Sequence, residues 1–390
     1  MSTGPAGLSV LHVLEALEGG TARHLVDLVG HTEGVRHHVA IPSERVGGVT
    51  DRAAAGAIHD AGGTVHTIEM RRAPASGRNA TAGVALRRLI RQLRPNVVHG
   101  HSSIGGALAR LATSGPTTAR VYTPHGVLTQ QPYLSFERLL GRRTDRLIAV
   151  SDSEGELVRR LNLVPGGRVT VVPNGIALDA PAGEAVDLRA QLGVPAGAEL
   201  VGCVARLFPQ KAPLDFVRVS AALARARPGT HAVLIGSGPL QADVTREVKA
   251  TGVTATFHQL AGVPNAALVL GQLDVLVNPS RFEGLPYGPL EAMRAGTAVV
   301  LSDAVGNRDV AEDGVSGLVL AVGDVEGMAR AVVRLLDDAA FRGRLVTAAR
   351  VRLAERFDVR DMGPATVDVY RRAMFDRAGR RRARPAFPGR

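Results

Sequence analysis

Residues Leu200–Phe257 read LVGCVARLFPQKAPLDFVRVSAALARARPGTHAVLIGSGPLQADVTREVKATGVTATF, and their pattern decides the fold class. Three short apolar runs, Leu200–Val204, Ala232–Ile235 and Thr254–Phe257, alternate with amphipathic stretches over Pro213–Arg227 and Leu240–Ala250. Strands joined by helices pair in parallel, because only a crossover can return the chain to the same end of the sheet. Downstream the alternation continues through strands at Val275–Val277, Ala298–Leu301 and Gly317–Leu320. The intervening helices are expected at Pro289–Ala295, Val325–Leu336 and Ala340–Phe357. Upstream lies a Pro-, Gly- and Ala-rich break, and beyond it the same alternation runs back to Val10. The expectation is an α/β chain of two tandem Rossmann-like, doubly wound domains.

The first domain is expected over residues 1–180, with strands at Val10–Leu14, His38–Ile41, Val65–Ile68, Val97–His99, Arg120–Tyr122, Leu147–Val150 and Val169–Val172. Residues 181–198 read as a linker and 199–357 as the second domain. A helix over residues 359–377 is expected to cross back to the first domain, and residues 378–390 read as a disordered basic tail. Such tandem folds place strand ends and helix N-termini around a cleft, which nominates a ligand site without naming its chemistry.

Composition narrows the function classes. With 45% hydrophobic and 21% charged residues the 390-residue chain is an ordinary globular one, not a disordered or fibrous one. A single cysteine, Cys203, excludes a disulfide framework and a cysteine-built zinc site. No run is apolar enough for a transmembrane helix, and the N-terminus lacks the basic region of a secretory signal, so a cytoplasmic home is expected. The net charge of +11 is concentrated in the first half and the tail, while 199–357 is near neutral. Aromatics make up 3% with no Trp, so base-stacking platforms and a nucleic-acid partner are not expected. Phosphate-bearing substrates and an anionic membrane surface fit that charge better.

The segment with the sharpest chemistry is Asn278–Gly296, NPSRFEGLPYGPLEAMRAG. Glu283 sits in a loop after a strand, and Glu291, seven residues between them, falls in the first turns of the following helix. Such a loop aims several N–H groups at one point, where an anionic or polyhydroxylated ligand can sit. The second signal is VARLFPQK at Val204–Lys211. The chain carries 45 Arg but only two Lys, Lys211 and Lys249, and one of them stands here. Arg206 offers a planar fork and Lys211 a point charge, a pair suited to a diphosphate.

These segments resemble the E-x7-E motif and the G-R-L-x-x-x-K-G region of retaining family 4 glycosyltransferases, which have the two-domain GT-B fold. The resemblance runs from about Val10 to Tyr370. It implies that Glu283 contacts the transferred sugar and Glu291 the nucleotide ribose, with Gly284, Leu285 and Pro286 framing the sugar. Arg206 and Lys211 would neutralise the leaving diphosphate, and Gly236 of IGSGP would lie near the nucleotide. It also implies that the Gly19-Gly20 loop approaches the diphosphate, where glycine lets backbone come close. His125 of YTPHG would stand beside the sugar, in preference to His99 and His101.

No D-x-D triplet occurs, so no metal ligand is expected on the diphosphate and the two cations would take its place. His37-His38 and His99/His101 read as weak metal candidates. No cofactor is expected. The implied donor is a nucleotide-diphosphate sugar, UDP favoured over GDP, and the acceptor a saccharide or lipid-linked saccharide of cell-surface assembly. A secondary-metabolite aglycone is the second choice. The rivals are a sugar-nucleotide epimerase or phosphorylase and, from another class, a non-catalytic sugar-nucleotide-binding protein.

Residues 71–94 hold Arg71, Arg72, Arg78, Arg87, Arg88, Arg91 and Arg94 and no acid. On a helix over Ala80–Leu93, Val84, Leu86, Leu89, Ile90 and Leu93 are expected to form the apolar stripe, with the arginines on another face. That face and the tail are expected to attach reversibly to the inner face of the cell membrane.

Overall fold

The computed structural model describes residues 7–43, 51–71, 76–165, 167–179, 181, 183–184, 186–263 and 266–382. The chain divides into two units, Met1–Gly175 with Val359–Arg390, and Ile176–Asp358. The chain therefore leaves the first unit at Gly175 and re-enters it at Val359.

The first unit carries β1 (Leu8–Val13), α1 (Gly19–Gly30), β2 (Val35–Ile41), α2 (Arg52–Asp60), β3 (Thr64–Thr67), α3 (Gly77–Leu93), β4 (Val97–His101), α4 (Ser103–Ala112), β5 (Ala119–Thr123), α5 (Tyr133–Gly141), β6 (Arg146–Ala149), α6 (Asp152–Arg160) and β7 (Val169–Val171). Its seven strands pair in parallel in the order β3-β2-β1-β4-β5-β6-β7. Side chains alternate across a strand, so one sheet face receives Leu11, Val13 and Val98 against Leu86 and Ile90 of α3. The other receives Val39 and Ile41 against Leu25 and Val29 of α1. Each fully buried aliphatic side chain contributes roughly 1.5–3 kcal/mol.

The second unit carries α7 (Leu188–Leu192), β8 (Leu200–Val204), α8 (Pro213–Ala226), β9 (His231–Ile235), α9 (Gln241–Thr251), β10 (Phe257–Leu260), α10 (Ala266–Val269), β11 (Val275–Asn278), α11 (Tyr287–Ala295), β12 (Ala298–Ser302), α12 (Asn307–Val310), β13 (Leu318–Leu320), α13 (Val325–Asp337) and α14 (Ala339–Arg356). Its parallel order is β10-β9-β8-β11-β12-β13, the same winding as the first six strands of the other sheet. The last helix, α15 (Val359–Arg382), packs on α1, β5 and β6 of the first unit.

Several elements differ from expectation. Residues 186–198, expected as linker, belong to the second unit: Leu188 is buried, and its N–H donates to Gln272 Oε1 at 2.8 Å. β10 starts at Phe257 and not Thr254, because α9 ends on left-handed Gly252 and a tight turn, Thr256 N–H to Val253 O at 3.1 Å, consumes the β-branched residues. α2 and α5 were not anticipated; each is anchored by buried apolar side chains, Ile58 in α2 and Leu134 and Leu140 in α5. Helix α15 continues to Arg382, past the expected start of the tail; residues 383–390 lie outside the described ones. In α3 the buried stripe is Ala82, Leu86 and Ile90, while Val84 is exposed. Arg78, Arg87, Arg88, Arg91 and Arg94 face solvent, and Arg72 lies outside the described residues. Among the described residues no helix is long and apolar enough to cross a membrane.

Candidate active-site residues

In the second unit the loop after β8 and the loop after β11 meet. The Lys211 ammonium lies 2.5 Å from Glu283 Oε1, with the carboxylate buried and the lysine largely so. Ser280 Oγ stands 2.6 Å from Glu283 Oε1 and 2.6 Å from Asn278 Oδ1. The Gln210 amide donates to Phe282 O at 2.8 Å, and Arg281 N–H donates to Gln210 O at 2.8 Å, which ties the two loops together. The two residues that the sequence assigned to sugar and diphosphate are thus partners of each other.

Three features hold this arrangement. First, Ala212 closes the short turn Pro209–Lys211 at φ +48, a left-handed conformation that a glycine would adopt without strain. Second, the turn after β9 presses on the Arg206 loop. Gly236 and Gly238 have φ of +148 and +158, and a Cβ on Gly236 would sit 2.0 Å from Ala205 O. Leu207 N–H donates to Ser237 O at 2.9 Å. Packing alone therefore requires the glycine at 236. Third, the loop after β12 backs the Glu283 loop: Glu283 N–H donates to Val305 O at 2.9 Å, and a Cβ on Gly306 would meet Gly284 O at 2.5 Å. Asn307 Nδ2 donates to Ser302 Oγ at 2.8 Å, and Ser302 Oγ in turn donates to Ser280 O. Ser280, Ser302, Gly306 and Asn307 were missed as supports of Glu283. The only sequence signal for them was an asparagine or small residue at each strand end.

Gly284, Leu285 and Pro286 are buried beside Glu283. Glu291 is half-buried, one turn into α11, and the Arg206 guanidinium lies 5.1 Å from the Phe208 ring centre.

In the first unit α1 opens on Gly19 and Gly20, with Gly19 at φ +57 and open space around the position of a Cβ. His125 follows β5 at φ +55, uncommon for a side chain of its size. The neighbouring Gly126 N–H donates to Glu154 Oε1 at 2.6 Å, and Val150 N–H to Glu154 Oε2 at 2.8 Å, so a buried carboxylate of α6 pins the His125 loop.

His37, His99 and His101, set aside above as weak metal candidates, belong to a cluster of six histidines with His12, His24 and His125. Side-chain alternation explains it. His99 and His101 point to the same face of β4, and His12 of β1 pairs directly with His99. His99 Nδ1 and Nε2 each lie 2.8 Å from a hydroxyl, Tyr370 of α15 and Thr123 respectively. Burial pushes the imidazoles of His12, His99, His101 and His125 well below their ordinary pKa, helped by neighbouring histidines, and takes His24 and His37 to about 4. All six are therefore neutral at pH 7. Asn174 is buried and accepts from His24 Nδ1 at 2.9 Å.

Comparison with known proteins adds the following. Residues 18–180 match the family model "Glycosyltransferase Family 4", and residues 186–352 match "Glycosyl transferases group 1". The D-inositol 3-phosphate glycosyltransferase of Saccharomonospora viridis is 30% identical over 305 residues, covering 72% of this chain and 70% of that protein. The 2-deoxystreptamine N-acetyl-D-glucosaminyltransferase of Streptomyces fradiae is 30% identical over 318 residues, covering 75% and 74%. Among solved structures, Anabaena Alr3699/HepE in complex with UDP-glucose superposes with a TM-score of 0.80 at 20% identity, covering 93% of this chain and 98% of that one.

Proposed function

The chain belongs to glycosyltransferase family 4 and has its GT-B fold of two parallel-sheet α/β units, and from that premise we propose a retaining transferase that needs no metal ion on the donor diphosphate. The observation that carries the reading is the Lys211–Glu283 pair, a cation and a carboxylate held at neighbouring strand ends. Transfer breaks the bond between the anomeric carbon and the diphosphate oxygen while the acceptor hydroxyl adds from the same face. The acceptor proton passes to the departing phosphate oxygen, and the sugar passes through an oxocarbenium-like state.

Lys211 and Arg206 stabilise the negative charge that grows on the leaving group, the electrostatic effect that usually dominates catalysis. Once Lys211 turns to the diphosphate, Glu283 is released to accept from sugar hydroxyls. Glu291 holds the ribose, and Gly284, Leu285 and Pro286 shape the sugar subsite. Gly236 keeps the Arg206 loop in place. In the first unit, His125 orients the sugar and Gly19-Gly20 present backbone N–H groups to the diphosphate.

The donor is a UDP-sugar in preference to a GDP-sugar, supported by the UDP-glucose bound to the Anabaena structure. The acceptor is a saccharide or lipid-linked saccharide, and nucleic acid is no partner. The exposed arginines of α3 then serve a peripheral attachment to anionic lipid on the inner face of the membrane. A second reading, a small-molecule aglycone, is favoured by the Streptomyces fradiae relative.

Incubation with UDP- and GDP-sugars and an acceptor panel tests the proposal. Acceptor-dependent release of nucleoside diphosphate, undiminished by chelator, is expected. A new nucleotide sugar without acceptor would indicate epimerisation, and binding without turnover a passive receptor.

A further inference from the structure

The hydrogen bonds of the histidine cluster fix its tautomers from one end. The Thr32 hydroxyl donates to Leu28 O at 2.8 Å, so at 2.6 Å from His37 Nε2 it must accept. A neutral imidazole carries one N–H. His37 Nδ1 is then a lone pair that accepts from His12 Nε2 at 3.0 Å, and His12 Nδ1 accepts from His101 Nε2 at 3.1 Å. The file therefore presents a lone pair at His101 Nδ1, 3.0 Å from His125 Nε2.

A second lone pair arrives from α1. His24 spends its proton on Asn174 Oδ1, which leaves Nε2 bare, buried and without a hydrogen-bond partner. One ring nitrogen from each of His24, His101 and His125 lies within 4.8 Å of the other two, and His101 Nδ1 is 3.0 Å from His125 Nε2. The one proton of His125 can answer His101, 3.0 Å away, but not His24 as well. A single electron-pair acceptor would satisfy all three nitrogens at once.

We propose that His24, His101 and His125 form a binding site for a divalent first-row transition metal such as Zn²⁺ or Co²⁺. Three imidazoles suit these ions and not Mg²⁺ or Ca²⁺, which take oxygen ligands. The outer N–H groups are held as metal-ligating histidines require, His24 by an amide oxygen and His101 by the His12–His37–Thr32 file. Three protein ligands leave one tetrahedral position open to a water or a small oxygen ligand. The alternative trio of His12, His99 and His101 is poorer, because both nitrogens of His99 are engaged by Tyr370 and Thr123. The assignment rests on imidazole geometry, and because His125 is also the residue proposed to orient the sugar, the site is tested by metal binding and not by activity.

Titration of the chelator-stripped full chain with Co²⁺, followed by visible absorption, tests it. One saturable equivalent with the intense bands of four-coordinate cobalt is expected, displaced by Zn²⁺. His24→Gln should abolish the signal, and Asn174→Ala should weaken binding roughly 10-fold by freeing the outer nitrogen. His66→Gln and His258→Gln, on the separate His38–His66 and His231–His258 pairs, should leave it unchanged. No saturable binding below about 100 µM, a level that a built three-ligand site should better, would overturn the site. So would an unaltered titration with both His24→Gln and Asn174→Ala, or loss of the signal in either control.

Discussion

The two units wind their sheets in the same order yet equip their strand ends in opposite ways. The first gathers six neutral imidazoles there, four of them, His37, His12, His101 and His125, joined in a file of hydrogen bonds. The second places an ion pair, Lys211 with Glu283, and backs it with the hydroxyls and amides of Ser280, Ser302 and Asn307. A doubly wound sheet supplies strand ends and helix N-termini and nothing more specific. The side chains set there decide whether a unit presents lone pairs or charges.

The largest effect expected from breaking that contrast is at Glu283. Glu283→Gln should abolish transfer with the fold intact by circular dichroism; more than half of wild-type activity would end its proposed role. Lys211→Ala should lower kcat by the equivalent of roughly 2–4 kcal/mol, with no rescue by Mg²⁺. Because the two side chains are partners, the double variant should lose less than the sum of the single losses, and a strictly additive cycle would show that they act independently.

Acid should separate the units next. His37, held at about 4 by burial with His38 beside it, gives its full stabilisation above the unfolded value near 6.5 and loses it as pH falls toward 4. That is about 2 kcal/mol lost by pH 5 from this one group. Hydrogen exchange at pH 7.5 and pH 5 should show the first unit weakening well before the second, and equal losses would break the comparison. Glu291→Gln should raise the donor KM about 10-fold with kcat little changed, since a ribose contact is shared by ground and transition states. The smallest effect concerns the one-signed face of α3. Replacing Arg87, Arg91 and Arg94 with Gln should cost about 1 kcal/mol of anionic-vesicle binding per residue at low salt, and unaltered pelleting would remove the membrane proposal.

How much of this was legible in the sequence follows from range. The parallel sheets were readable because hydrophobic period is a local property, and the segments that hold Arg206, Lys211, Glu283 and Glu291 stood out because each is short, continuous and follows a strand. The Lys211–Glu283 partnership was not, since 72 residues separate the two and only the β8–β11 pairing brings their loops together. The histidine cluster failed to register for the same reason. It draws on β1, α1, β2, β4 and the loop after β5, so the sequence showed His37-His38 and His99/His101 only as weak metal candidates and His125 as a separate sugar contact. Gly236 was flagged for nearness to a nucleotide, whereas its own neighbours supply a sufficient steric reason for a glycine.

Tyr370, buried on α15 and bonded to His99, has a consequence for how the protein is made. The second unit is one continuous segment, complete once Asp358 leaves the ribosome, whereas the first begins before it and receives its last helix only after it. Its sheet must wait, through the translation of some 183 intervening residues, for the hydroxyl that caps His99. Birth order and completion order are thus reversed, and a nascent chain stalled before Val359 would expose an unfinished histidine core beside a finished neighbour.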